Sequence, residues 1–183
     1  MTLPSGLPTH PASHDLPTAV GERRGIDIGR VGQRLAEYGI ELPEPQPPMA
    51  ALLTPVRILG SRLLVSAQLP KLGGRVVYTG RVGEALGIEE GQQATRLCAL
   101  NVLSHARAAL DGDLDRIAAV AYVRGYVNVA PSFDQIAEVV NGASQVILDV
   151  FGPEVGAHCR TAVGAASMPF NAAAEVEAEF DLR

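Results

Sequence analysis

A mostly antiparallel β-sheet covered on one face by two long helices, an α+β domain, is expected from three patterns in this chain. The first is strict alternation near the C-terminus, where Glu175, Glu177, Glu179 and Asp181 interleave with Val176, Ala178, Phe180 and Leu182. A period of two marks a strand with one apolar and one acidic side. The second is a pair of long helical stripes. Ala99, Val102, Leu103, Ala106 and Leu110 form one; Ile136, Val139, Val140, Ala143, Ile147 and Val150 form the other. Spacings of three and four put each set on a single helix face. The third is element order, β-β-β-α-β-α-β-β, which lets both helices share one side of one sheet.

Residues 1–24 are rich in Pro, Ser, Thr and Gly without periodicity and read as a disordered leader. Residues 25–49 carry an accessory helix and a linker. Ile28, Val31, Leu35 and Tyr38 share a helical face, so a short helix is predicted over 26–38, stopped by Gly39. The stretch Pro43-Glu-Pro-Gln-Pro-Pro48 then has to be extended, because proline lacks an amide donor and restricts the residue before it.

The core domain spans 50–183. Strands are predicted over 52–59 and 62–66, joined by a tight turn at Gly60-Ser61, and a third over 75–78 after Gly73-Gly74. Glu89 and Glu90 open the first long helix, where carboxylates suit the positive end of the helix dipole. After Asp111-Gly112 comes a strand over 117–129. Simple alternation places Ala119, Ala121, Val123 and Val127 on one side of it, and Val120, Tyr122, Arg124 and Tyr126 on the other. The second long helix covers about 134–151. Two strands follow, one carrying Arg160 and one carrying Glu175, reversed at Pro169-Phe170-Asn171. Pairing those two strands as neighbours would set a guanidinium against a carboxylate.

At 183 residues and 47% hydrophobic, the chain has enough apolar side chain for one sizeable core. Its net charge of -5 repels polyanions, and 4% aromatic residues leave few platforms for stacking bases, so nucleic acid is a disfavoured partner. No segment approaches the roughly 20 apolar residues of a membrane helix, and the proline-rich start is unlike a signal peptide. Cys98 and Cys159 have neither disulfide-framework nor metal-ligand spacing, so a reducing cytoplasm and no metal are expected. By strand alternation Cys159 points into apolar packing, and His158 shares the face of Arg160. His105, near a helix C-terminus, is assigned a solvated or dipole-stabilised role.

Three stretches carry a family resemblance: Leu63-Leu-Val-Ser-Ala-Gln-Leu-Pro70, Asn141-Gly-Ala-Ser-Gln-Val-Ile-Leu-Asp-Val-Phe-Gly152, and Arg160-Thr-Ala-Val-Gly followed by Met168-Pro169 and Glu175-Val-Glu177. Together they resemble the YjgF/Rid family of reactive-intermediate deaminases, also labelled endoribonuclease L-PSP, in a longer and less characterised subgroup. The resemblance covers about 50–183. It implies a chorismate-mutase-like fold, a homotrimer whose sheets form a central barrel, and small-molecule clefts between subunits, with no cofactor. It further implies that Arg160 binds the carboxylate of an enamine or imine and that Glu175 holds or activates the attacking water. Ser66 and Ala67 stand where the family lines its cleft with Ser-Gly-Gln. Leu53 occupies a position that is tyrosine in many members, Ala162 replaces a frequent cysteine, and Asn141 or Ser144 matches a polar cleft residue. The implied activity is hydrolysis of a small carboxylate-bearing enamine or imine to a keto acid and ammonia. The alternative is a non-catalytic or regulatory trimer that binds small carboxylates; RNA cleavage, carried by the family label, has less physical support.

Overall fold

The computed structural model describes residues 29–48 and 52–183. The expected leader and the first residues of the accessory segment lie outside them. In chain order the elements are α1 (Gly29–Glu37), β1 (Val56–Leu59), β2 (Arg62–Gln68), β3 (Lys71–Leu72), β4 (Arg75–Val76), α2 (Ile88–Ala109), β5 (Ile117–Asn128), α3 (Ile136–Val155), β6 (Cys159–Ala165) and β7 (Ala174–Leu182). Five strands form one sheet in the order β1-β2-β7-β5-β6, antiparallel except for β5 with β6.

The alternating strand, β7, is central. Its Ala174, Val176, Ala178 and Phe180 are buried beneath the helices, whereas Glu175, Glu177 and Glu179 stay partly exposed on the other face. Burying one whole side of a strand specifies its register, because a slip by one residue would bury the acids instead. Helix α2 packs over β2 and β7, and α3 over β5 and β6. Phe151 and Phe180 meet at a centroid distance of 6.2 Å inside a core that includes Leu63, Leu103 and Val123.

Helix α2 starts where the Glu90 carboxylate accepts the Gly87 amide at 2.6 Å. The two long helices touch closely around Gly142. Thr95 Oγ1 donates to the Val139 carbonyl at 2.7 Å across that contact. Helix α3 runs past its predicted end, but with a kink at Gly152 (φ 77°), followed by Pro153. The kink frees carbonyls of the preceding turn, and Arg34 of α1 donates to two of them, Asp149 O at 2.7 Å and Leu148 O at 3.3 Å. The amide of Val31, in the first turn of α1, in turn donates to the Asp115 carboxylate. The accessory helix is thus tied at both ends to the domain. The linker after it is held through its carbonyls, the acceptors that prolines retain. Ser104 Oγ donates to Pro43 O and Lys71 Nζ to Pro47 O.

Three expectations are corrected. The segment predicted over 75–78 does not join the main sheet: Gly73 and Gly74, both at positive φ, turn the chain so tightly that Arg75–Val76 pairs locally with Lys71–Leu72. The first strand begins only at Val56, just after Pro55, which has no amide for a ladder. Along β5, Val120 is buried with Ile117 and Val123 rather than facing outward beside Tyr122. Register shifts between Ile117 and Ala119, and between Val120 and Tyr122, break the alternation.

Candidate functional site

Glu175 begins β7, directly after the turn at Pro169–Asn171, where Phe170 and Asn171 adopt positive φ. It lines a cleft of about 140 Å³ together with Gln46, Leu53, Ala67, Lys71 and Phe170. Arg124 and Arg62 neutralise the other acids of β7. Arg124 donates to Glu179 at 2.7 Å and Glu177 at 3.2 Å, and Arg62 pairs with Glu179 and Asp181. No described cation pairs with Glu175. Burial pushes its carboxyl above the ordinary carboxylate range, and the charge of Glu177 adds to the effect. A carboxyl so shifted is a stronger base than an exposed one, which suits it to take a proton from water.

An irregularity in β2, between Val65 and Gln68, decides where its two candidate residues go. Ala67 faces the Glu175 cleft, whereas Ser66 lines the adjacent groove of the open sheet face with Arg124 and Glu177. The Ser66 hydroxyl is buried and has no protein partner. Leu53 is 46% exposed at the lip of the cleft, where its side chain can offer contact but no hydrogen bond.

Arg160 builds a second constellation on β6. Its Nη1 donates to Asn141 Oδ1 at 2.7 Å and to Ser144 Oγ at 3.2 Å, and its Nη2 to the Ala137 carbonyl at 3.2 Å. These acceptors are all neutral, and Arg160 forms no ion pair among the described residues. Ser144 is itself oriented by His158. The His158 Nδ1 lies 2.7 Å from the Gly156 carbonyl, which only accepts, so Nδ1 carries the hydrogen. In the neutral ring Nε2 then accepts from Ser144 Oγ at 3.0 Å, leaving the hydroxyl oxygen to receive Arg160.

The sequence reading thus splits in two. Asn141 and Ser144 do join Arg160, and His158 shares its face as expected. Leu53 and Ala67 join Glu175. The two groups do not meet within the chain, which corrects the expectation of facing neighbours. Strand β5 lies between β6 and β7. Moreover Arg160 is level with buried Val123 on the helix side, whereas Glu175 is level with Tyr126 on the open side. Two further readings are corrected. Cys159 is exposed, not packed in apolar surroundings, because β6 is the last strand of its sheet. His105 is 7% exposed, not solvated, and burial followed by the nearby charge of Lys71 holds its imidazole below the ordinary range.

Lys71 was not among the residues singled out from sequence. It is 4% exposed, and burial lowers its ammonium pKa. One signal was available: it is the single lysine of the chain, and it follows Leu69-Pro70. Among the described residues no helix is long and apolar enough to cross a membrane.

A mostly antiparallel five-stranded sheet with two long helices on one face, entered through a short third helix, is the YjgF type of mixed α+β fold. The chain belongs to that family: the model described as "YjgF/chorismate_mutase-like, putative endoribonuclease" matches residues 32–180. It is similar to Protein TCP17 of Trypanosoma cruzi, 47% identical over 157 residues that cover 86% of this chain and 97% of that protein. Among solved structures, the protein Atu1372 of unknown function from Agrobacterium tumefaciens is 40% identical with a TM-score of 0.76, covering 84% of this chain and 93% of its own. A Shewanella oneidensis protein described as a "putative endoribonuclease" is 34% identical with a TM-score of 0.79, covering 83% of this chain and 99% of its own.

Proposed function

We propose that this chain hydrolyses a small carboxylate-bearing enamine or imine to a keto acid and ammonia, without a cofactor, in a homotrimer. The observation that carries the reading is the state of Arg160: fixed at three points by neutral acceptors, it keeps its full charge for an external carboxylate. Because Arg160 and Glu175 lie on opposite faces of one protomer, Arg160 of one copy completes the Glu175 cleft of the next. An enamine first becomes the imine by gaining a proton at carbon and giving one up from nitrogen. Glu175 removes a proton from water as the oxygen adds to the C=N carbon, and the nitrogen takes up the electron pair of the double bond with a proton from Glu175. In the resulting carbinolamine Glu175 takes the hydroxyl proton and returns a proton to nitrogen; the oxygen lone pair forms the C=O bond as the C–N bond breaks, releasing ammonia and leaving the ketone. A reducing cytoplasmic setting fits two unpaired cysteines, Cys98 and Cys159.

The test is release of ammonia and keto acid from imines generated in situ by an amino-acid oxidase. Arg160→Ala and Glu175→Gln, each with oligomer mass unchanged, lose about two orders of magnitude or more in turnover on this reading. Equal rates in the variants and the parent would refute it. A second reading has its own observation. Leu53 puts an apolar side chain at the cleft lip where the resemblance has a phenol, which favours a trimer that binds small carboxylates without turning them over. Saturable keto-acid binding that depends on Arg160, with no acceleration of any imine, would select it.

A further inference from the structure

The Glu175 cleft contains a cation of its own, separate from Arg160. Lys71 sits in its wall, 4% exposed, at the start of the β3–β4 ribbon. Its ammonium donates to the Pro47 carbonyl at 3.1 Å and forms no ion pair among the described residues. A primary ammonium has three donors, and that carbonyl uses one. The walls around it are largely apolar: Pro48, Leu53, Pro55, Leu69 and Phe170. Burying a charge in such surroundings without an anion is costly, and nothing in the fold of the ribbon requires a charge there. All fourteen other basic residues of the chain are arginines, so this position is also chemically distinct.

The neighbouring groups favour an anionic occupant. Glu175 in the same cleft is held above the usual carboxylate range, so it presents less negative charge to an incoming anion than a solvated acid would. His105, behind Lys71, is shifted toward its neutral form, chiefly by burial and then by the lysine charge itself. Lys71 therefore lines the cleft with two donors that the Pro47 carbonyl does not use and with no internal acid paired to it among the described residues.

We propose that Lys71 is a substrate-binding residue that selects a second anionic group, so that the ligand of this site is a small dicarboxylate. The inference rests on the reading in which Arg160 of a neighbouring copy holds the first carboxylate. One end of the ligand then meets the guanidinium, the other meets Lys71, and the reacting carbon lies between them beside Glu175. Leu53 and Phe170 cover the apolar middle of such a molecule.

The test uses the intact oligomer and two probes, 2-oxoglutarate with two carboxylates and 2-oxobutyrate with one, with affinities measured by calorimetry. The diacid is expected to bind roughly ten- to a hundredfold more tightly than the monoacid. In Lys71→Met that preference disappears while the monoacid affinity is kept, and Lys71→Arg retains part of it. Arg160→Ala weakens both probes alike. An unchanged diacid preference in Lys71→Met overturns the inference and leaves the Arg160 reading standing. Unchanged affinities in Arg160→Ala instead sink that reading and, with it, the two-cation pocket. Should Lys71→Met fail to fold, the parent protein supplies the measurement, since isotope-labelled lysine gives one side-chain resonance. A saturable shift of that resonance with 2-oxoglutarate, absent with 2-oxobutyrate, is the expected result. Identical responses to both probes would overturn the proposal.

Discussion

Replacing Gly142 by alanine probes the contact that holds the candidate site together. Intrinsic helix propensity alone favours the change by about 1 kcal/mol, because alanine restricts the unfolded chain more than glycine does. The structure opposes it. A Cβ at Gly142 would lie 2.1 Å from the Gln92 carbonyl oxygen, 2.8 Å from its carbon, and 2.7 Å from Thr95 Oγ1. The first two are backbone atoms of α2 and cannot swing aside, so the helices must separate by about 1 Å to restore ordinary contact. Separation also stretches the Thr95 bond to Val139 O and the Gln92 bond to Glu138 O, now 2.7 and 2.9 Å. Overpacking of this kind costs about 1–3 kcal/mol, and a weakened buried hydrogen bond about 1 kcal/mol more. After the propensity gain, a net loss of about 1–3 kcal/mol is expected. Urea unfolding at matched protein concentration measures it as a lower midpoint with an unchanged slope. Since Asn141 and Ser144 flank Gly142 and hold Arg160, keto-acid affinity should fall in parallel. A variant as stable as the parent, or more so, would refute this picture of the helix contact. Gly125→Ala is a useful contrast, because its Cβ would meet only side-chain atoms, those of buried Val140, and no backbone of a packed helix.

Three further outcomes follow from the same geometry. The folded state holds the Glu175 proton more tightly than the unfolded chain, so its stabilising contribution is complete below the ordinary value near 4.5 and is lost as pH rises through the raised folded value. Glu175→Gln should therefore be less active yet more stable than the parent at pH 8, with the difference shrinking toward pH 4; equal unfolding midpoints at both pH values would contradict this. Arg34→Ala removes both caps from the kinked end of α3 and the cation–π contact with Tyr38, 5.3 Å from its ring centroid, and should cost about 1–3 kcal/mol in thermal unfolding experiments. Cys98 is wholly buried, and burial first, then the Glu175 charge, holds its thiol well above the ordinary range. It should resist a disulfide reagent until denaturant is added, and labelling at the native rate of an exposed thiol would be inconsistent with the core described.

Much of the fold could be read from local periodicity, because that is where its strongest constraints lie. The acidic and apolar sides of β7 and the stripes of α2 and α3 each express one burial boundary, and a one-residue shift would place charges in the core. What periodicity does not encode is which strand lies beside which. Strands β6 and β7 are consecutive, yet the β5–α3–β6 crossover places β6 outside β5 and leaves β7 to insert between β5 and β2. That arrangement separates Arg160 from Glu175 and exposes Cys159. The bulges in β5 were equally invisible, since Val120 and Tyr122 look alike in an alternation pattern. On the site itself, the spacing from Arg160 to Glu175 pointed to both residues, and Asn141, Ser144 and His158 were found with Arg160. Lys71 escaped notice because a lone lysine before a glycine turn normally marks a solvated tip. In the fold it is buried instead, with its ammonium tied to the Pro47 carbonyl of the linker.

The central claim is that Arg160 of one subunit serves Glu175 of another, and co-expression of Arg160→Ala and Glu175→Gln chains tests it most directly. Each variant alone lacks a complete site. In mixed oligomers formed at random from equal amounts, roughly a quarter of the interfaces unite an intact Arg160 with an intact Glu175. Imine hydrolysis in the mixture should recover to roughly a quarter of the parent rate. A mixture of proven heteromers that remains as inactive as either variant alone would contradict a shared site.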